Sequence, residues 1–123
     1  FKNKVAVITG AGSGIGQQLA IQLSSKGCHL ALADISQAGL DKTQQLLSDD
    51  VDEKSGVKIS IHIVDVADQA QMKSFAATIA TEHGAVNYLF NNAGVALGAR
   101  IDAVSYDDMH WLMNINYWGV VHG

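Results

Sequence analysis

Residues 5–16, VAVITGAGSGIG, set four glycines at alternate positions directly behind a run of apolar, mostly β-branched residues. Of everything in the chain, this stretch limits the fold most. A short β-branched apolar run bounded by glycine reads as a buried strand. Glycines permit a sharp turn and a close approach of backbone. Ile15, Leu19, Ala20 and Leu23 then recur at helical spacing. A strand at 4–9 that turns at once into a helix at 15–26 is the first half of a βαβ unit. The turn between them is either a flexible link or a cradle for an anion, since backbone N–H groups and the positive end of the helix would both face its mouth.

The rest of the chain repeats the alternation. Gly27 closes the first helix, and CHLALAD at 28–34 is a second apolar strand. Ser36 starts a helical stretch through Leu40, Leu46 and Leu47, which gives way to the acidic 48–56, expected to be a solvated helix end and loop. Residues 57–66 alternate, with Ile59, Ile61 and Ile63 on one face and Lys58, Ser60 and His62 on the other. That pattern suits a strand with one well-buried face at a sheet edge. Asp68 with Gln71 resembles a capping box and opens a helix through Met72, Phe75, Ile79 and Ala80 to Gly84. Residues 86–90 form a fourth strand. Ser105 with Asp108 repeats the cap pattern ahead of a last helix that runs to the tail.

Strands alternating with helices of ten or more residues imply right-handed crossovers and a parallel sheet covered on both faces. The expected class is therefore α/β, a doubly wound Rossmann-like sheet in three α/β/α layers. In such sheets ligands sit beyond the carboxyl ends of the strands, so the residues just after each strand carry the functional reading. After the first strand, the spacing of Gly10, Gly12, Gly14 and Gly16 fails the strict G-x-G-x-x-G pattern, although the physics of the cradle survives. After the second comes Asp34, eighteen residues beyond Gly16, placed either to accept hydrogen bonds from an adenosine ribose or to cap a helix. After the third comes Asp65-Val66, a carboxylate for an adenine amino group with an apolar side chain for the ring, or a second helix cap. After the fourth comes Asn91-Asn92-Ala93-Gly94, which could equally be a simple asparagine-glycine turn.

Composition removes several function classes. A formal net charge of −4 offers nothing to nucleic acid or acidic lipid. Cys28 is the only cysteine, so no internal disulfide and no four-cysteine zinc site can form, which fits a reducing compartment; cytoplasm is the expected location. The apolar runs are too short to span a bilayer, so no membrane association is expected. His29, His62, His83, His110 and His122 are scattered without ligand spacing, and no metal is expected.

Thr9-Gly10-x-x-x-Gly14-x-Gly16, Asp34, Asp65, Asn91-Asn92-Ala93-Gly94 and Asn116-Tyr117-Trp118-Gly119 together make the sequence resemble a short-chain dehydrogenase/reductase. The resemblance is to the shorter type, because the extended branch needs a glycine where Ser13 stands. It implies a strand order of 3-2-1-4 and hydride transfer between a nicotinamide and an alcohol or ketone. Carried over by motif, Gly10, Ser13, Gly14 and Ile15 would meet the pyrophosphate and adjoining ribose. Asp34 and Ile35 would meet the adenosine, Asp65 and Val66 the adenine, and Asn92, Ala93 and Gly94 the ribose nearer the nicotinamide. Asn116 matches the catalytic asparagine, which in the family helps to hold a water of the proton relay; without the motif it reads as a polar residue interrupting a helix. Asp34 would repel a 2′-phosphate, and no Arg or Lys lies in the glycine turn or between Asp34 and Gly39, so NAD is expected over NADP.

The family's acid/base tyrosine, with a lysine four residues on, has no match: Tyr88, Tyr106 and Tyr117 are followed at that distance by Asn92, His110 and Val121. Residues 1–123 are accordingly expected to be the amino-terminal portion of one dinucleotide-binding domain, inactive alone, exposing an apolar fourth strand and a sticky last helix around Trp111, Met113 and Trp118. The family also implies a homo-oligomer. The competing readings are a non-catalytic dinucleotide-binding module or sensor, and a flavodoxin-like mononucleotide binder, which leaves Asp34 and residues 91–94 unexplained.

Overall fold

The computed structural model describes residues 1–50 and 56–123. Four strands, β1 (Val5–Thr9), β2 (His29–Asp34), β3 (Ile59–Ile63) and β4 (Tyr88–Phe90), form one sheet in the order β3-β2-β1-β4, and every pairing is parallel. Helices α1 (Gly14–Ser25), α2 (Gln37–Asp50) and α3 (Gln69–His83) connect them in turn. The doubly wound parallel sheet and its strand order are as the resemblance implies.

Alternation along the strands divides the interior into two cores. Ala6, Ile8, Leu30 and Leu32 point to one face and pack with Ala20 and Leu23 of α1 and Leu40 and Leu47 of α2. Val7, Ala31 and Ala33 point to the other and pack with Met72, Phe75 and Ile79 of α3. Both faces of β1 and β2 are thus covered, which fits the unbroken apolar runs at residues 5–8 and 30–33.

The edges depart from the sequence reading. β3 lies at one edge as expected, but its polar face is not simply solvated. His62 stacks at a tilt on Phe75, with ring centroids 5.1 Å apart, and Ser60 Oγ lies 2.8 Å from both His62 Nε2 and His83 Nε2. The end of α3 covers that face and the side chains satisfy one another there. Conversely Ile63, grouped with Ile59 and Ile61 by periodicity, is 58% exposed, because only the latter two pack against the core beneath α2. The acidic 48–56 begins inside α2, which continues to Asp50, and its residues 51–55 lie outside the described residues.

Asp68 caps α3 by accepting from Ala70 N and Gln71 N. The box is not reciprocal, since Gln71 Oε1 accepts from Asp65 N instead of Asp68 N. Ser105 and Asp108 form the complete capping box of α4 (Tyr106–Met113). The last helix runs on through residues 106–122 as expected, but a wide π turn over Asn114–Trp118 lies between its α-helical parts, α4 and α5 (Gly119–His122). Among the described residues no helix is long and apolar enough to cross a membrane.

Candidate functional site

All of the strand-end residues singled out for a dinucleotide converge. Gly10, Ser13, Gly14, Ile15, Asp34, Ile35, Asp65, Val66, Asn92, Ala93 and Gly94 line one cleft of about 390 Å³ at the carboxyl ends of the strands, joined by Val64, Val95 and Ile115. The size is that of a small-molecule site.

The glycine turn that forms one wall is rigidly held. Gly10 takes φ +66°, and a Cβ on it would sit 2.8 Å from Ala93 Cα, so both its backbone angle and its crowding require glycine. A Cβ on Gly16 would overlap the Gly10 carbonyl oxygen, which lets α1 start flush against the turn. Thr9 is buried, and its hydroxyl accepts from Asn92 N and Ala93 N, each at 3.1 Å. The Asn92 amide nitrogen returns the link by donating to the carbonyls of Thr9 (3.0 Å) and Gly10 (3.2 Å). From the far side, Gly12 N donates to Asp34 Oδ2 at 2.8 Å, and Thr43 Oγ1 donates to the Ala11 carbonyl at 2.9 Å. These bonds fasten the turn to β2, to the end of β4 and to α2.

Neither aspartate is a helix cap. Asp34 Oδ1 accepts from Ser36 N, and it is Ser36 Oγ that accepts from Gly39 N in the first turn of α2. Asp65 Oδ1 accepts from Ala67 N while Asp68 caps α3. Each carboxylate is oriented by backbone amides and keeps further acceptor capacity toward the cleft. Val66 is buried; Gly119 packs against its side chain, and His122 Nδ1 lies 2.9 Å from its carbonyl oxygen.

Asn116 stands behind the second wall of the cleft. It does not line the cleft. Its Oδ1 accepts from Val95 N and its Nδ2 donates to Val95 O, each at 2.8 Å, so the side chain grips the backbone of the second wall. The π turn carries it there, with Ile115 packed against the second core.

The chemistry of the lining suits a dinucleotide. Ser13 stands at the N-cap of α1 without a side-chain capping bond, and the start of the helix, whose first N–H groups have no intrahelical partner, lines the cleft through Ser13, Gly14 and Ile15. Over Gly14 a Cβ would meet nothing within 4 Å, leaving room there for a pyrophosphate. Ile15 is 79% and Ile35 70% exposed, apolar surfaces at the rim of the cleft that a flat apolar group would cover. The charged lining residues are Asp34 and Asp65, with no Lys or Arg. Among the described residues no group of three His, Cys, Asp or Glu is placed to hold a metal ion.

Sequence reasoning missed Thr9 and Thr43 as anchors of the turn. A signal for Thr43 existed: it occupies the buried stripe of α2 between Leu40 and Leu47, where an aliphatic residue would be usual.

Titration is perturbed away from the cleft. Burial pushes the His62 and His83 imidazoles below the ordinary histidine range, Lys58 adding to the effect at His83 and Glu82 opposing it at both. Burial raises the Cys28 thiol. Hydrogen bonds from Gln71 lower the Asp68 carboxyl, as those from Arg100 lower Asp102 and those from Ser105 lower Asp108.

Comparison with known proteins agrees with this architecture. The model of the family described as short chain dehydrogenase matches residues 4–123. The oxidoreductase SadH of Mycobacterium tuberculosis is 38% identical over 123 residues, all of this chain and 43% of that protein. A short-chain dehydrogenase/reductase of Burkholderia phymatum, solved in complex with NAD, superposes with a TM-score of 0.90 at 38% identity, over 100% of this chain and 42% of that one. An alcohol dehydrogenase of Thermococcus sibiricus, solved with 5-hydroxy-NADP, gives 0.87 at 32% identity, over 97% and 49%. The chain thus spans less than half the length of the proteins it matches.

Proposed function

The chain belongs to the short-chain dehydrogenase family, and from that premise we propose that the protein carrying it is an oxidoreductase that binds NAD in the cleft and exchanges a hydride with an alcohol or ketone. The observation that carries the proposal is the convergence of residues from four separate strand ends on one cleft. When bound, the nicotinamide supplies the hydride acceptor or donor.

The chain's own residues perform the binding. The open amides at the start of α1 hold the pyrophosphate. Asp34 accepts from the adenosine ribose, and its charge repels a 2′-phosphate where no cation lines the cleft to offset it. Asp65 accepts from the adenine amino group between Ile35 and Val66. Asn92, Ala93 and Gly94 border the ribose nearer the nicotinamide, and Asn116 positions that wall through Val95. No Tyr-x-x-x-Lys occurs in residues 1–123, so for this chain the proposal covers cofactor binding and not the proton step. We read it as the amino-terminal portion of one domain in a cytoplasmic homo-oligomer.

The test is calorimetric titration of NAD and NADP into the full-length protein, repeated on Asp34→Ala. We expect NAD to bind more tightly and the variant to lose most of the preference; an unchanged preference sinks the assignment of Asp34. Dinucleotide binding without any change in nicotinamide absorbance across a panel of alcohols and ketones would leave a binding module in place of an enzyme.

A further inference from the structure

The peptide unit between Ala11 and Gly12 is clamped at both ends. Its carbonyl accepts from Thr43 Oγ1 at 2.9 Å, and its N–H donates to Asp34 Oδ2 at 2.8 Å. Because a peptide is planar and rigid, the two bonds are mechanically one: a flip about the flanking dihedrals breaks both. Glycine at position 12 would otherwise permit that flip. Thr43 is fully buried, and Gln17 Nε2 donates to its hydroxyl at 2.8 Å, which fills one acceptor site and helps to aim its single proton. That proton has one competing acceptor, the Gly39 carbonyl at 3.1 Å. Gly39 also lets α2 close on the turn, since a Cβ there would lie 2.9 Å from the Gly12 carbonyl oxygen.

We infer that Thr43, which does not line the cleft, is a positioning residue for cofactor choice: through the Ala11–Gly12 peptide it fixes the Asp34 carboxylate in the place where it accepts from a ribose and repels a 2′-phosphate. The inference rests on the functional reading given above. Without the Thr43 hydroxyl the peptide is held at one end only, by its N–H on Asp34, so it moves with the carboxylate instead of fixing it, and the bond from Ser36 N is the one anchored contact left to Asp34. Swung aside, it is a poorer acceptor for the ribose and a weaker barrier to phosphate, so affinity for NAD falls while that for NADP holds or rises.

The measurement is the ratio of dissociation constants for NADP and NAD in the full-length protein, compared among wild type, Thr43→Val and Thr43→Ser. The Val variant is expected to lower the ratio about tenfold, the scale of a lost hydrogen bond to a charged group, and the Ser variant to stay near wild type. General loosening of the turn would weaken both dinucleotides alike and leave the ratio unmoved, which overturns the inference. If Thr43→Val does not purify as a folded protein, Gln17→Met removes the donor that helps to aim the hydroxyl. It is expected to lower the ratio about threefold, and no change there is equally fatal. A wild type that binds neither dinucleotide overturns the functional reading and this inference together, whereas a wild type that prefers NAD with an unaltered ratio in the variants overturns the inference alone.

Discussion

The two walls of the cleft are built by opposite strategies. The glycine turn is fastened from every side, to β4 through Thr9 and Asn92, to β2 through Asp34 and to α2 through Thr43, with buried groups at the centre of the network. The wall running on from Gly94 depends at Val95 on one side chain, Asn116, reaching back from the π turn. Beyond Val95 the chain through Val104 is mostly exposed and carries only a single short turn of helix, Ile101–Ala103. A wall that meets an invariant ligand portion gains from being preformed, because no ordering cost then falls on binding. A wall that borders variable chemistry gains from being replaceable without disturbing the sheet.

Gly16→Ala should separate the two walls most forcefully. Its Cβ would overlap the Gly10 carbonyl and approach the Asn92 amide nitrogen, both part of the fastened network, and neither is the end of a flexible side chain free to swing clear. We expect a loss of stability on the order of 3 kcal/mol or more, within the range of severe packing defects, read from urea unfolding. A loss below about 1 kcal/mol would mean that the turn yields easily, and the contrast between the walls would fail. Asn116→Ala attacks the other wall. Its grip lies at an exposed position, so the expected cost is only about 1 kcal/mol, but hydrogen exchange at the Val95 amide should rise steeply while that at Gly12 and Asn92 stays protected. Equal deprotection at all three sites would show one cooperative structure instead of two.

This division also explains how much of the molecule was legible in its sequence. The strands and the end of the sheet that carries the cleft could be read because they follow from local periodicity, whereas the strand order came with the family resemblance: Val7 and Ile8 face opposite cores simply by alternating, and each strand end falls at the same end of a parallel sheet. The fastening could not, because local pattern reports that a side chain is buried but not what it meets. Thr9 and Asn92 lie 83 residues apart, and only the fold brings them together. The same gap hid the polar face of β3, where Ser60 and His62 alternate as solvated residues would, until α3 brought His83 against them. It also hid the π turn, since a helix with one wide turn has the composition of a continuous one.

The edge strand beside the fastened wall offers a milder test. Burial holds His62 and His83 below the ordinary histidine range, so between their folded values and about 6.5 the unfolded chain binds more protons than the folded one. Their contribution to stability is therefore present above about pH 6.5 and is lost as pH falls. Asp68, Asp102 and Asp108, all shifted down, stay ionised through that window and add no slope. Urea midpoints should decline between about pH 7 and 5, and His62→Gln should flatten the decline. Val95 exchange protection, once corrected for the intrinsic rate, should not move with it, since Asn116 does not titrate. A decline that survives His62→Gln together with His83→Gln places the proton uptake elsewhere.

The smallest expected effect on stability is the most direct on binding. Ser13 stands at the N-cap of α1 in extended conformation, and its hydroxyl makes no capping bond. Ser13→Ala therefore removes nothing that the fold uses, and its unfolding free energy should match wild type within about 0.5 kcal/mol. If the hydroxyl is left open because a pyrophosphate takes it, the same variant should weaken ADP-ribose several-fold, about the value of one hydrogen bond, while adenosine, which lacks the pyrophosphate, binds unchanged. Equal weakening of both ligands would place the effect in the turn's shape and not in a contact to the anion. A substantial loss of stability would show that the hydroxyl caps the helix after all, leaving the fastened wall with less built for its ligand than its geometry implies.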